Sequence, residues 1–565
     1  MSDTSRRGFI KKTAEAAGLA GAAGLAGAAA LAPLAFAPQA AGQSPVASAA
    51  SNPLGSASGE RFDFVVAGAG HNSLVCAAYL AKAGYRVLVL EGRPTIGGGC
   101  KTAEVCLPGF KEDLCSSVHS GFQNNPALKE LNLRDYGLEY IDPELVMHIP
   151  FLDGQSITVW RDLDRTCETI AKISKKDAET FRKLVPEFKA YAESGPAGKG
   201  SVRRAKFWQQ LNAMSGYDAT GVLFESNHLR AGSLACGHFG GVAGGDFGTG
   251  GQAFSLMTQV LNGRPIPKGG SGMLCVALGR FIEAHHGVIL TNKPVVQLLV
   301  EKTNGENGKC LGVECADGSQ YRGGKGVVST IHIKHLVNMA PRELWGDEFN
   351  TMVETFQPEH AMIQFHYATT EPPQYPLMGG GTISSTEAVL MDRAESVLLL
   401  NSYNARGEVW VDDTPLQIVS PSVGDPTRAP AGHHTVKIEG TLPYDLKDGG
   451  PKRWDEIKEQ VAEACFNRLR RLAPNLTPDK VLAKFIESPL DIERMNPAMW
   501  RGSVHAGDRR LPQMASYKMP IPGLYQTGAC TPPGGSITGF PGRNAAAAIL
   551  KDLGTSIEEV GKKDS

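Results

Sequence analysis

The stretch from Phe62 to Glu91 constrains this 565-residue chain more than any other. It opens on FDFVV, a short apolar run rich in β-branched residues, as expected of a buried parallel strand. AGAGHNS follows, with Gly68, Gly70 and, where a third glycine would stand, Ser73. Leu74, Ala77, Ala78 and Ala81 then recur at helical spacing, and Gly84 stands where that helix would end. A second strand, Arg86–Leu90, leads into Glu91, 23 residues after Gly68. This is the spacing of a ribose-binding acid in a dinucleotide fold. Each residue type has a physical task. Gly68 permits a tight turn, and Gly70 has no Cβ to hold a pyrophosphate away from the backbone. The helix start offers unpaired N–H groups and a positive dipole end. Glu91 can accept both ribose hydroxyl hydrogens, and Ser73 is small enough for helix–strand packing.

The fingerprint alone does not separate FAD from NAD. Two further segments favour FAD. Residues 93–102, RPTIGGGCKT, place glycines just after the ribose acid, where the chain can pass a diphosphate without side-chain obstruction. Residues 520–550 read PIPGLYQTGACTPPGGSITGFPGRNAAAAIL. A short strand, Leu524–Thr527, ends at Gly528, a Pro/Gly loop follows, and Gly539 to Leu550 fits a helix. A helix start aimed at a flavin ring would stabilise its reduced form by about 0.3–2 kcal/mol.

With these motifs in view, the sequence resembles the phytoene-desaturase-like FAD oxidoreductases, in the superfamily that includes the amine oxidases. It looks especially like the branch of the mitochondrial pyridine-nucleotide-disulfide-oxidoreductase-domain protein and its bacterial relatives. The similarity rests on DFVVAGAGHNSLVCAAYLAKAGYRVLVLE, the glycine doublet with Thr102, PKGGSGML at 267–274, and the C-terminal motif. It is weaker in the middle of the chain, and Ser73, Cys100, Cys530 and Pro532 depart from the family pattern. The resemblance implies an α/β fold, with a discontinuous Rossmann-type FAD-binding domain and an inserted mixed α+β substrate domain. The segments expected are 61–150, 265–340 and 485–556 for FAD, and 151–264 and 341–484 for substrate. It also implies cofactor contacts at Gly68, Gly70, Ser73, Glu91, Arg93, Gly97, Gly98 and Thr102. Val295 matches a position whose backbone meets the adenine, and Gly528, Ala529, Gly535, Ser536 and Ile537 fall in the flavin motif.

The interior pattern fits this division. A helix is expected up to His285, then strands VILTN and VVQLLVE, then a hairpin at 311–330 turning at Asp317–Gly318. Helices are expected within 162–193 and near Trp454–Leu472, and a strand at Ser396–Ser402. The glycine-rich stretch 237–251 has no strand before it, so it is not read as a second nucleotide site.

Flavin carries the redox chemistry itself, so the protein needs only to position substrate and handle protons. His119, His238 and His505 are the candidates for proton handling; for each, a hydrogen-bonded structural role is the alternative. His332, His335 and the pairs at 285–286 and 433–434 read as scattered surface positions. Cys100 and Cys530 flank the expected ring path and are read as buried, inert thiols. The eleven cysteines contain no C-x-x-C pair, and no metal site is expected.

Residues 4–12, TSRRGFIKK, followed by an Ala/Gly run to Ala37, read as a twin-arginine export signal over 1–42, with a linker at 43–60. The expected location is the periplasm or another exported compartment, reached through the twin-arginine machinery, which carries folded proteins. Lys plus Arg is 57 against 58 for Asp plus Glu, a balance that gives no footprint for nucleic acid. The function expected is a dehydrogenase, desaturase or oxidase that takes hydride from a mainly apolar small molecule. Oxygen, a quinone or a carrier protein would accept the electrons. A flavin amine oxidase, with an aromatic cage drawn from Trp208, Trp410, Trp454 and Trp500, and a non-catalytic flavoprotein are the alternatives.

Overall fold

The strand Phe62–Ala67 lies at the centre of a parallel sheet, flanked on one side by Val87–Leu90 and Val288–Leu290 and on the other by Gln320–Ser329 and Leu524–Gln526. In order of sequence these strands run 3-2-1-4-5, the arrangement of a Rossmann-type nucleotide fold. Phe64, Val65, Val66 and Val87 to Leu90 are all buried, as strands covered on both faces must be. The computed structural model describes residues 61–562 except 199, 201, 240–242, 302–307, 506 and 508–511. The expected export signal and linker lie outside the described residues.

The helix His71–Lys82 follows the first strand and closes on Gly84, whose φ of +97° a residue with a side chain would resist. Two helices pack against it, Met273–Ala284 and Phe540–Asp552. The second of these comes very close. A Cβ on Gly542 would collide with the backbone carbonyl of Asn72, and Ala545, Ala546 and Ile549 meet Ala77 and Ala78 in the same buried cluster. Small residues here let the two backbones approach. The hairpin Lys309–Cys315 with Gln320–Ser329 forms as expected, and Val295–Glu301 adds to its edge.

A second, mostly antiparallel sheet lies within the same compact unit. Its strands run in the order Val481–Glu487, Met362–Thr369, His434–Thr441, Leu416–Val419, Glu387–Leu390, Leu145–Pro150, Ser156–Trp160. Val481–Glu487 crosses position 484, and Leu145–Pro150 precedes 151, so this sheet draws on both flanking segments expected to bind FAD. One face carries Phe365, Tyr367, Ile438 and Ile418 and is covered by the helix Trp454–Leu472. A helical layer that includes Leu163–Ala171, Lys175–Glu193 and Asn227–His238 forms a separate core.

One expected element is wrong. Ser396–Ser402 is not a strand but part of the helix Ser396–Ala405. The run SVLLL has no alternation that could distinguish a buried strand from a helix. In the structure Val397 and Leu400 are buried while Leu398 and Leu399 are about 40% exposed, which is a helical spacing.

Asp113 ties the two halves together. Its carboxylate accepts from Thr102 Oγ1 at 2.7 Å and from the Ser271 N–H at 2.8 Å, just before the helix Met273–Ala284. Arg428 Nη2 lies 2.8 Å from its other oxygen, and Lys437, on the second sheet, donates to its carbonyl at 3.1 Å. Burial opposes charge on Asp113, but Arg428 and Lys437 outweigh it and hold the carboxyl below its ordinary range. Because the folded value is depressed, the stabilisation is present above the unfolded carboxylate value and fades as pH falls through the folded one. Asp113→Asn should therefore lose about 3 kcal/mol in urea unfolding at pH 7. The loss should shrink as the comparison is repeated at lower pH.

Candidate active site

A cavity of about 790 Å³ opens along the C-terminal ends of the parallel strands. Open parallel α/β sheets place their ligands there, and the volume is that of a cofactor or substrate pocket.

At one end the fingerprint loop forms the wall. Gly68 turns at a φ of +98°, and Gly70 starts the helix with nothing within 4 Å of the place its Cβ would take. That open cradle is where a diphosphate fits. Ser73 lies behind the loop rather than on the cavity. Its hydroxyl faces the carbonyl oxygens of Gly68 at 2.7 Å and Gly70 at 2.9 Å, so the residue replacing the third glycine pins the turn. The Glu91 carboxylate accepts from the Ala69 N–H and from the Arg93 N–H, both at 3.0 Å, and faces the cavity beside Arg93. Arg93 in turn donates to the Met495 carbonyl at 3.0 Å.

The glycine doublet lies over this loop. The Gly97 N–H donates to the Ala69 carbonyl at 2.8 Å, and a Cβ on Gly98 would come within 3.0 Å of the Gly70 Cα. Gly98 reaches the cavity and Gly97 does not. Val295, at the start of its strand, lines the wall beside Pro294. Thr102 is off the cavity, because Asp113 and the Gly272 N–H engage its hydroxyl.

The C-terminal motif supplies the opposite wall. Gly528, Ala529, Gly535, Ser536 and Ile537 all line the same cavity as Gly68 and Gly70. Ser536 offers its carbonyl to His71 Nε2 at 3.2 Å, a contact between positions 465 apart. The helix Phe540–Asp552 begins shortly after Ile537, with Gly539 as its N-cap.

The three candidate histidines separate. His505 lines the cavity, its Nε2 3.1 Å from the Phe239 carbonyl. His119 is fully buried behind it, with Nε2 2.7 Å from Ser271 Oγ and Nδ1 3.0 Å from Tyr140 Oη. His238 is buried with Nε2 2.6 Å from Thr441 Oγ1, and burial, helped by neighbouring His360, lowers its pKa to about 3. An imidazole so hard to protonate is a poor proton acceptor, and neither His119 nor His238 reaches the cavity. His332 and His335, expected at the surface, instead line the cavity. His332 is 2% exposed and stacks on Trp500 with ring centroids 5.5 Å apart. Nothing in the local pattern IHIKH signals this; it follows from the position just beyond the strand Gln320–Ser329. His71, the first residue of the helix after Gly70, also faces the cavity, and burial lowers its pKa.

Of the two thiols, Cys530 lines the cavity. Cys100 is buried behind it, its Sγ 3.2 Å from the Ser271 carbonyl. Trp208, Trp410, Trp454 and Trp500 are all absent from the cavity wall, and Trp208 and Trp454 are fully buried elsewhere. They build no aromatic cage.

Comparison with known proteins agrees with this geometry. Residues 66–132 match the NAD(P)-binding Rossmann-like domain family. The chain is 26% identical to rat pyridine nucleotide-disulfide oxidoreductase domain-containing protein 2, over 87% of this chain and 94% of that one. It is equally identical to a limonene dehydrogenase component from Castellaniella defragrans, over 88% and 95%. Phytoene desaturase (neurosporene-forming) of Cereibacter sphaeroides is 24% identical over 86% and 94%. The chain is an oxidoreductase built on a Rossmann-type nucleotide fold. Among solved structures, an oxidoreductase from Methanosarcina mazei aligns with a TM-score of 0.58 at 18% identity, covering 87% of this chain and 100% of that one. A putrescine oxidase variant aligns with the same TM-score at 13% identity, covering 87% and 99%. At those identities the likeness concerns the fold.

The empty space at Gly70 separates folding from binding in this oxidoreductase. Gly70→Val should leave the thermal midpoint of the cofactor-free protein within a few degrees of the cofactor-free parent, since the new side chain enters free volume. It should lose bound dinucleotide, measured as cofactor released on denaturation per mole of protein. A variant that keeps full cofactor would show that the diphosphate lies elsewhere.

Proposed function

We propose that the protein is an FAD-dependent dehydrogenase or oxidase that removes hydride from a C–H bond of a mainly apolar organic molecule. One observation carries this reading: a single cavity is lined both by the nucleotide loop at Gly68–Gly70 and by the C-terminal loop at Gly528–Ile537. A nicotinamide dinucleotide would need only the first. In this reading Gly70, Gly98, Glu91 and Arg93 hold the nucleotide end, and Ala529, Gly535, Ser536 and Ile537 surround the flavin ring. The flavin, when bound, supplies the hydride acceptor.

The chain's own groups supply the rest. Phe239, Met362, Val419 and Val504 give the far end of the cavity apolar surface that excludes water. His505 is the candidate among the three that could hold a proton released from substrate. The relatives named for limonene and for phytoene, both hydrocarbons, support a mainly apolar substrate, and the lack of tryptophan on the wall among the described residues disfavours an amine cage.

Purified full-length protein is expected to show a flavin absorption spectrum that bleaches when an unsaturated alicyclic compound is added without oxygen. Reoxidation by oxygen or by a quinone then identifies the acceptor class. Correctly folded protein without flavin absorption rejects the cofactor assignment. A flavin that no member of a donor panel reduces would favour a binding role without turnover.

Export by the twin-arginine route belongs to the same proposal and is supported by Arg6 and Arg7 ahead of the apolar run. Replacing both arginines by lysine should retain the protein in the cytoplasm in cell fractionation. Unchanged export would reject this route.

A further inference from the structure

Opposite the nucleotide loop, the cavity is closed by a sheet face whose polarity a hydrocarbon substrate does not use. Strands Val481–Glu487, Met362–Thr369, His434–Thr441 and Leu416–Val419 lie side by side, and their register sets Glu487, Gln364, Glu439 and Gln417 in one row across them. Side chains alternate along a strand, so the row shares one face. Phe365, Ile438 and Ile418 point the other way, into the core. Gln364, Glu439 and Gln417 line the cavity, with Met362 and Val419 two residues away on the same face. The polar face of an antiparallel sheet ordinarily meets water. Here Gln364 is 1% exposed, and Glu439 and Gln417 are each 7% exposed.

The carboxylate of this row that faces the cavity is already matched. Lys437 Nζ lies 2.6 Å from the Glu439 carboxylate. Arg264 lies 2.5 Å from Glu387, which also accepts from the Gln417 amide. The Gln364 amide oxygen, by contrast, is buried with no hydrogen-bond partner among the described residues. Gln364 stands directly across from Glu439 in the register, and its side chain also hydrogen-bonds Cys115.

We propose that the substrate carries a hydroxyl group on its apolar skeleton and that Gln364 and Glu439 hold it; this rests on the oxidoreductase reading above. A hydroxyl can both donate and accept, so it satisfies the glutamine amide in either orientation. A hydrocarbon would leave the Gln364 amide oxygen desolvated and unpaired, and an ammonium would add charge beside Glu439, which already has Lys437. Met362 and Val419 receive the adjoining apolar carbons. Gln364 is then a specificity-determining residue.

The test is calorimetric binding of perillyl alcohol, perillylamine and limonene, which share one skeleton, to the full-length holoprotein. The alcohol is expected to bind about tenfold more tightly than limonene or more, the loss of one buried hydrogen bond being of that order. In Gln364→Met the gap should close to within about threefold, through weaker alcohol binding and tighter limonene binding. If that variant does not fold, Gln364→Asn, which withdraws the amide but keeps its polarity, should weaken the alcohol selectively. Equal affinity for alcohol and hydrocarbon in the parent protein, tightest binding of the amine, or an undiminished preference in the variants would overturn the proposal. The flavin spectrum of the same samples keeps the two readings apart. A normal spectrum without alcohol preference removes only the hydroxyl assignment, whereas missing flavin removes the cofactor and leaves the binding series readable.

Discussion

The close packing of the last long helix on the first determines where the cavity is. Gly542 lies directly on the carbonyl of Asn72, with Ala545 and Ala546 alongside, so the backbones approach more closely than larger side chains would allow. The strand Leu524–Gln526 is fixed at the same time, by pairing with Val327–Ser329. Between these two anchors the loop 528–537 lies against the nucleotide loop, the Ser536 carbonyl 3.2 Å from His71 Nε2. A site assembled from both ends of a chain depends on such contacts, because the loops contribute few buried apolar groups of their own.

The second dependence is electrostatic. Asp113 is buried, and its ionised state is maintained by Arg428 and Lys437 against the cost of desolvation. Through Thr102 and the N–H groups of Ser271 and Gly272 it also fixes the start of the helix Met273–Ala284. The same Lys437 neutralises Glu439 on the cavity wall. A charge network that looks structural when viewed from the first sheet therefore sets the charge balance of the substrate wall on the second.

Much of the first sheet can be read from the chain, because its signals are local. FDFVV, Gly68, Gly70 and Glu91 fall within one continuous unit, and each has a backbone or phosphate reason for its identity. The hairpin at Asp317–Gly318 is equally local. The misreading at Ser396–Ala405 shows the limit: an apolar run without periodicity reveals burial but not conformation. The histidines show a second limit. His505 faces the cavity, whereas His119 and His238 turn to Ser271 and Thr441, and His332 enters although its neighbours look like surface. No sequence spacing encodes which way such a ring turns, because its partner lies on a distant element.

The polar row makes the same point for specificity. Gln364, Glu439 and Gln417 each occupy an alternating strand, and taken singly each reads as a solvent-facing position. Only the pairing of three strands brings them together, and only the placement of that sheet against the nucleotide fold keeps water from them. The nucleotide fold is written in consecutive residues, since a tight turn, an exposed helix start and a ribose acid all belong to one short stretch of chain. Which histidines meet the cavity, and what its far wall asks of a substrate, emerge only in three dimensions, since both depend on contacts between segments hundreds of positions apart.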